Sequence, residues 1–323
     1  MTDTPATAKS PAVPDGIIII DKPRGPTSHQ VTAWARDIVG LHAGHSGTLD
    51  PMVSGVLVVM LGKAVRLAPF LLRHDKEYVC LMRLHGDAAE PAIRAVAEEF
   101  TGKLYQRPPR RSAVRRALRI RSVHAIEILD IKGRLVLFRV ACDAGTYIRS
   151  LCHHMGLALG TGAHMQELRR TRSGAFSEAE SCTLQDLLDA RARADEGDPS
   201  LLQALVLPPE RALTGAPQVT VRDSAIDAVC HGAVLAGVGI LERSSFKKGE
   251  LVAVFSERGE LVCLGEALQG SAAFEPGDTG LVIAPRTVFM RPGTYPKGWT
   301  THAGNRPGRS RSKKHSIKKT AGK

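Results

Sequence analysis

The chain of 323 residues is 43% hydrophobic, enough for one large and one smaller domain at roughly 150 residues each. Its net charge of +12, from 44 Lys and Arg against 32 Asp and Glu, and its pI near 9.7 suit a polyanionic partner. Six cysteines without C-x-x-C spacing argue against a disulfide framework or zinc site, adjacent His153 and His154 lack the spacing of helix-face ligands, and no metal is implied.

The charge is uneven. Eight Lys or Arg and no acid lie from Arg306 to Lys323, and without them the body carries 36 basic against 32 acidic residues. Seven arginines and no carboxylate lie between Arg107 and Arg121, where like charges repel unless a partner neutralises them. Residues 1–15, rich in Thr, Ala and Pro, read as a flexible leader without the apolar region of a signal peptide. The longest apolar runs fall far short of the roughly 20 residues of a membrane span, so the chain reads as soluble and intracellular.

In chain order, Gly16 to Ile20 is a β-branched apolar run that predicts a buried strand, ended by Asp21, Pro23 and Gly25. Thr27 or Ser28 caps a helix whose apolar positions are Val31, Trp34, Ala35, Ile38 and Val39. A Gly-rich polar loop is predicted from Gly40 to Pro51, then a strand through VLVVMLG and a helical stretch to Leu72. Glu77 to His85 reads as a strand and Ala92 to Phe100 as a helix stopped by Gly102. The Arg-rich segment, with Pro108 and Pro109, reads as extended. Val123 to Leu129 and Arg134 to Cys142 read as a hairpin, Tyr147 to Leu159 as a helix, Leu168 to Gly174 as a basic loop suited to phosphates, and Leu184 to Ala190 as the start of another helix. Linker-like punctuation follows at Asp195 to Pro199 and Pro208 to Pro217. Beyond it, short strands at Leu251 to Phe255, Leu261 to Gly265, Leu281 to Ala284 and Val288 to Met290 predict a small β-barrel. The fold class is α+β.

Four segments carry polar groups suited to chemistry: the loop G-H-S-G-T-L-D-P ending in Asp50 and Pro51, K-E-Y-V around Tyr78, G-T-Y-I-R-S around Tyr147 and Arg149, and L-R-R-T-R-S-G. Singly, each has a plain structural explanation: Asp before Pro is a common turn residue, and a helix-surface Arg usually makes an exposed ion pair. Together and in this order they resemble the TruB-type pseudouridine synthase family, in its archaeal and eukaryotic branch, the dyskerin-like catalytic subunit of box H/ACA ribonucleoproteins. The likeness runs from Gly16 to Trp299 and includes I-I-I-I-D-K-P, Q-R-P-P-R-R-S-A-V-R-R-A-L-R-I-R and G-A-H-M-Q-E-L-R-R-T-R-S-G.

The resemblance implies a catalytic domain over 16–211, built on a mixed, largely antiparallel sheet with flanking helices. It further implies a small β-barrel PUA domain over 217–299, leaving 300–323 as a basic disordered tail. Asp50 matches the family's nucleophile, Tyr78 the tyrosine that stacks on the target base, and Arg149 the arginine that pairs with the nucleophile. Lys22, His45, Tyr147 and Leu168 match substrate-pocket residues. Arg107, Arg110, Arg111, Arg115, Arg116, Arg172, His231 and Gly232 are the implied RNA contacts. Ser150, His154 and His124 depart from the family pattern at positions expected to lie outside the reaction centre.

The implied reaction breaks the N1–C1′ bond of uridine and rejoins the base through C5, with no cofactor. The implied partners are tRNA, rRNA, an H/ACA guide RNA and small H/ACA ribonucleoprotein proteins, with no membrane. The substrate is rRNA under guide direction, the TΨC loop of tRNA at uridine-55, or both; a non-catalytic RNA-binding scaffold is the competing reading. An archaeal-type protein fits best, which implies a cytoplasmic location, or a nucleolar one if the source is eukaryotic.

Overall fold

The computed structural model describes residues 13–107 and 117–297. The leader up to residue 12, Arg110, Arg111, Arg115 and Arg116, and the basic tail lie outside the described residues. The chain divides into two compact units between Gln218 and Val219.

In the first unit, strand β1 (Gly16–Lys22) leads to helix α1 (Ser28–Val39), strands β2 (Ala43–Ser46) and β3 (Ser54–Leu61), a 3-10 turn and the short helix α2 (Ala68–Leu71). Strand β4 (Lys76–Leu84), helix α3 (Glu90–Glu99) and strands β5 (Gly102–Gln106), β6 (Arg119–Lys132) and β7 (Leu135–Cys142) follow. Helix α4 (Ile148–Ala158), strands β8 (Ala163–Ser173) and β9 (Phe176–Ser177), and helices α5 (Leu184–Asp195) and α6 (Ser200–Leu205) complete it. The sheet runs β1-β3-β8-β4-β7-β6-β5, with β2 on β3 and β9 on β8. Among the described pairings between these strands only β3–β8 is parallel, beside an isolated parallel bridge between Ile20 and Cys182.

Local signals explain the outer elements. Thr27 caps α1 by accepting from the Gln30 amide at 3.1 Å, while its own amide donates to Gln30 Oε1 at 2.8 Å, and Gly40 closes the helix at φ 72°. Ile17 to Ile20 are at most 1% exposed because both faces of β1 are covered, which is why that run shows no alternation. One core joins β1 and β3 to α1 and α5; a second joins β4 and β7 to α3 and α4 and reaches Leu49 and Val53 beside the polar loop. The two halves of the sheet meet where β3 and β8 touch at Gly55 and Arg170. A Cβ on Gly55, whose φ is +98°, would lie 2.2 Å from the Arg170 carbonyl oxygen, so only glycine permits this approach.

Several sequence expectations are corrected. Val13 packs on the first core and Asp15 accepts from the Lys63 amide at 3.1 Å, so the tethered chain begins before Gly16. Within the predicted loop from Gly40 to Pro51, Ala43–Ser46 forms β2, because pairing with β3 overrides the weak strand propensity of Gly44 and His45. The segment from Leu168 to Ser173 is the second half of β8, not a loop. Its charges alternate: Arg169 binds Asp21 at 2.9 and 3.0 Å and Glu178 at 2.8 Å, whereas Arg170 turns into the core. A strand whose inward residue is an arginine does not read as one from polarity.

In the second unit, helix α7 (Asp223–Cys230) packs with strands β10 (Gln218–Val221), β11 (Leu235–Ala236), β12 (Ile240–Arg243), β13 (Leu251–Ser256), β14 (Leu261–Ala267) and β15 (Leu281–Val288). The sheet order is β11-β15-β14-β13-β10-β12, barrel-like around Val252, Val254, Val262 and Ile283. The strand predicted at Leu281 to Ala284 runs on to Val288, and nothing separate forms from Val288 to Met290. A register shift opposite Leu264 and Gly265 lets β15 pass Pro285, which has no amide to donate. No helix among the described residues is long and apolar enough to cross a membrane.

Candidate active site

The loop from Gly47 to Pro51 is clamped from below. Ser28, fully buried at the start of α1, accepts from the Leu49 amide at 2.8 Å and donates to its carbonyl at 3.0 Å. Lys22, 0% exposed, donates to the carbonyls of Pro23 at 2.8 Å, Pro51 at 3.1 Å and Val53 at 2.8 Å. Burial, then the nearby Arg170 cation, holds the Lys22 ammonium below its usual pKa of 10.5, with Asp50 acting the other way. Lys22 therefore supports the loop from inside rather than lining the cavity above it, a correction to its expected place among pocket residues.

Asp50 emerges from this loop and pairs with Arg149, whose Nη2 donates to Asp50 Oδ2. The pair joins residues 99 apart in sequence. Its side chains are 58% and 52% exposed, so the carboxylate stands at an open mouth. Arg149 is carried by the first turn of α4, which Gln106 fixes. Gln106, 2% exposed, accepts from the Tyr147 amide at 2.8 Å and donates to the Tyr147 carbonyl at 3.2 Å.

Asp50, Tyr78, Tyr147, Arg149 and Leu168 line one cavity of about 770 Å³, within the ~300–1,000 Å³ usual for small-molecule sites. Tyr78, 9% exposed, stands on β4 directly opposite Arg170. Burial raises its phenol pKa, and the Arg170 guanidinium opposes that rise. The wall also holds Arg73, Lys76, Arg121 and Arg170, against the carboxylates of Asp50 and Asp143. Burial brings the Lys76 ammonium down to about 8, with Arg170 adding to the effect. A cationic rim around an aromatic wall suits a nucleotide, since phosphates meet the charges and the base meets the ring.

His45 is placed elsewhere. It lines a neighbouring hollow of about 460 Å³ with His29 and Arg36, and its ring meets Thr32 Oγ1 at 3.0 Å and Thr48 Oγ1 at 3.2 Å. Burial, then His29 and Arg170, lowers its pKa from 6.5 to about 4, so the ring is neutral at physiological pH. Arg107 is exposed beyond β5, and Arg172 is half-buried with Gly174 O at 3.2 Å. His231 and Gly232 are exposed after α7 in the second unit.

Sequence reasoning passed over Gln106, Lys76, Asp143 and Arg170. Gln106 opens the Q-R-P-P segment, where the arginines are the more conspicuous signal. His124, expected outside the reaction centre, meets Asp143 Oδ1 at 3.2 Å and Asp75 Oδ2 at 3.4 Å on the cavity rim. These three side chains bring ligand-type atoms within 4.8 Å, and the contacts of His124 with both carboxylates account for the grouping.

Three family models match in succession: the TruB family pseudouridylate synthase N terminal domain over residues 36–148, the tRNA pseudouridylate synthase B C-terminal domain over 149–214, and the PUA domain over 217–289. The probable tRNA pseudouridine synthase B of Methanosarcina barkeri is 50% identical over 288 residues, covering 88% of this chain and 85% of that protein. Its counterpart in Pyrococcus abyssi is 51% identical, covering 88% and 86%. Among solved structures, a Cbf5-Nop10-Gar1 complex contains a chain 50% identical, at TM-score 0.84 over 88% of each chain. An H/ACA RNP bound to a substrate RNA containing 2′-deoxyuridine contains another, 48% identical at TM-score 0.84 over 89% of each. The class so defined is that of RNA-modifying enzymes. More narrowly, the chain belongs to the TruB family of pseudouridine synthases.

Proposed function

We propose that this chain isomerises uridine to pseudouridine in RNA with Asp50 as nucleophile, Arg149 as its ionic partner and Tyr78 as the wall on which the target base stacks. The observation that carries this reading is the Asp50–Arg149 pair at the mouth of a cavity walled by Tyr78, in a chain of this family. A stacked uridine is out of reach, so the nucleotide is extruded at a cost of a few kcal/mol. Stacking on Tyr78 offsets about 1–3 kcal/mol of that. The Arg149 guanidinium holds and orients the carboxylate by a charge-assisted hydrogen bond, and the carboxylate attacks the sugar C1′ or the base C6. Once the base covers the mouth and water leaves, their mutual attraction strengthens.

Two RNA classes are supported. Relatives named probable tRNA pseudouridine synthase B favour a tRNA uridine modified by the protein alone. Likeness to chains in H/ACA complexes favours guide-directed modification with small protein partners of the Nop10 and Gar1 kind. Tritium release from 5-tritiated uridine RNA, measured with the protein alone on tRNA and then with guide RNA and partners, separates them. Asp50→Asn is expected to abolish release in both arms while RNA affinity stays within about twofold, since the substitution conserves shape. Appreciable turnover by the Asn variant refutes the nucleophile assignment. Inactivity of the wild-type protein in both arms favours a scaffold that binds RNA without acting on it.

A further inference from the structure

Arg170 is the largest side chain that the fold buries completely, 1% exposed. Among the described residues, the hydrogen bonds of its guanidinium go to neutral groups: Nε donates to the Val56 carbonyl at 2.7 Å and Nη2 to the Gly47 carbonyl at 2.8 Å. Tyr78 faces it across the strand pair from β4, near enough for the phenol and the guanidinium to act on each other's charge. A buried cation without a carboxylate is expensive, and an apolar residue would fill the same space at less cost. Its neighbours make the expense worse, because Lys22 and Lys76 are buried close by. Packing alone is a poor reason for this residue.

Its partners offer a better one. Arg170 is the cross-strand neighbour of Tyr78 on β4 and of Gly55 on β3. Gly47 opens the Asp50 loop, and its φ of +75° leaves it seated on the guanidinium: a Cβ there would lie 3.2 Å from Arg170 Nη1. One rigid fork thus touches the aromatic wall, the nucleophile loop and the strand that follows it.

Resting on the roles given above to Asp50 and Tyr78, we propose that Arg170 is a positioning residue for the isomerisation, holding the Tyr78 hydroxyl and the Gly47 carbonyl in one frame. The separation between stacking wall and nucleophile then stays constant as the base enters. Arg170 forms part of the cavity floor, and its proposed effect runs through Tyr78 and the loop that carries Asp50. A planar fork suits this task, because its donors leave separate atoms in fixed directions, whereas a lysine ammonium gathers its donors at a single point.

The test is a double-variant cycle on the full chain: wild type, Arg170→Lys, Tyr78→Phe and both together. The measurements are single-turnover pseudouridine formation, RNA Kd and thermal midpoint, with Asp50→Asn as the inactive control. Arg170→Lys is expected to slow the chemical step by roughly 10- to 100-fold, the scale of a small misplacement of reacting groups, with RNA Kd nearly unchanged. With Phe at position 78, the added cost of Arg170→Lys shrinks well below its cost alone, because the hydroxyl it aims is gone. A merely structural role gives costs that multiply fully and follow the thermal midpoint. If the lysine variant does not fold, Arg170→Gln takes its place in the cycle. Fully multiplicative costs, a wild-type rate in the variant, or failure of both variants to fold overturns the proposal. Inactive wild-type protein overturns the reading of the site itself, a distinguishable failure.

Discussion

Replacing Gln106 by leucine isolates what the first turn of α4 contributes. Leucine keeps most of the buried volume and deletes both bonds to Tyr147. The Tyr147 carbonyl keeps a partner in the Leu151 amide at 3.0 Å, so its loss is about 1 kcal/mol of net hydrogen bonding. The Tyr147 amide loses the Gln106 acceptor, a part-buried bond also worth about 1 kcal/mol net. The sum, about 2 kcal/mol, is a sizeable share of the ~5–15 kcal/mol that holds a typical domain together. The strain falls on the residue two before Arg149, and a displacement near 1 Å at reacting groups costs up to about 100-fold in rate. Urea unfolding followed by circular dichroism measures the first effect; single-turnover tritium release at saturating RNA measures the second. A Gln106→Leu protein within about 0.5 kcal/mol of wild type, the scale of an ordinary surface change, and with an unaltered rate, refutes the reasoning.

Three further outcomes follow from the same geometry. Because the native state holds His45 near 4 while the unfolded chain binds its proton at about 6.5, the stabilisation is complete above pH 6.5 and is lost as pH falls toward 4. At 1.36 kcal/mol per unit the loss is bounded at about 3 kcal/mol and is reduced by solvent screening of the half-buried ring, and His45→Gln flattens it in denaturant titrations from pH 4 to 7; an unchanged slope rejects the assignment. Lys22→Met leaves the Pro23 and Val53 carbonyls without this donor, while Pro51 O keeps the Gly25 amide at 2.8 Å. Its expected result is a lower thermal midpoint and a slower chemical step with RNA affinity retained; a wild-type midpoint argues against the clamp. Arg73→Gln and Arg121→Gln, on the cavity wall, should each weaken RNA binding and reduce its log–log salt slope by about 0.7–0.9 for every phosphate left unneutralised. Equal slopes for variant and wild type exclude a phosphate partner for those arginines.

The amino-acid sequence by itself determined whatever depends on near neighbours in the chain. The capped helix from Ser28 to Val39, the apolar strand through Ile17 to Ile20 and the short strands of the second unit all carry their signals within a few residues. Collinear motifs also singled out Asp50, Tyr78, Arg149, Tyr147 and Leu168, which the fold gathers around one cavity. Only the tertiary structure decided what register and long-range pairing control. It made a strand of the arginine-rich segment ending β8, turned Arg170 beneath the site instead of toward phosphate, and set Lys22 and His45 outside the main cavity. The Gln106–Tyr147 clamp spans 41 residues and the Asp50–Arg149 pair spans 99. The reason is the parity of a sheet: shifting β8 by one residue against β4 would exchange Arg169 and Arg170 between its two faces, and no local pattern of polarity encodes that choice.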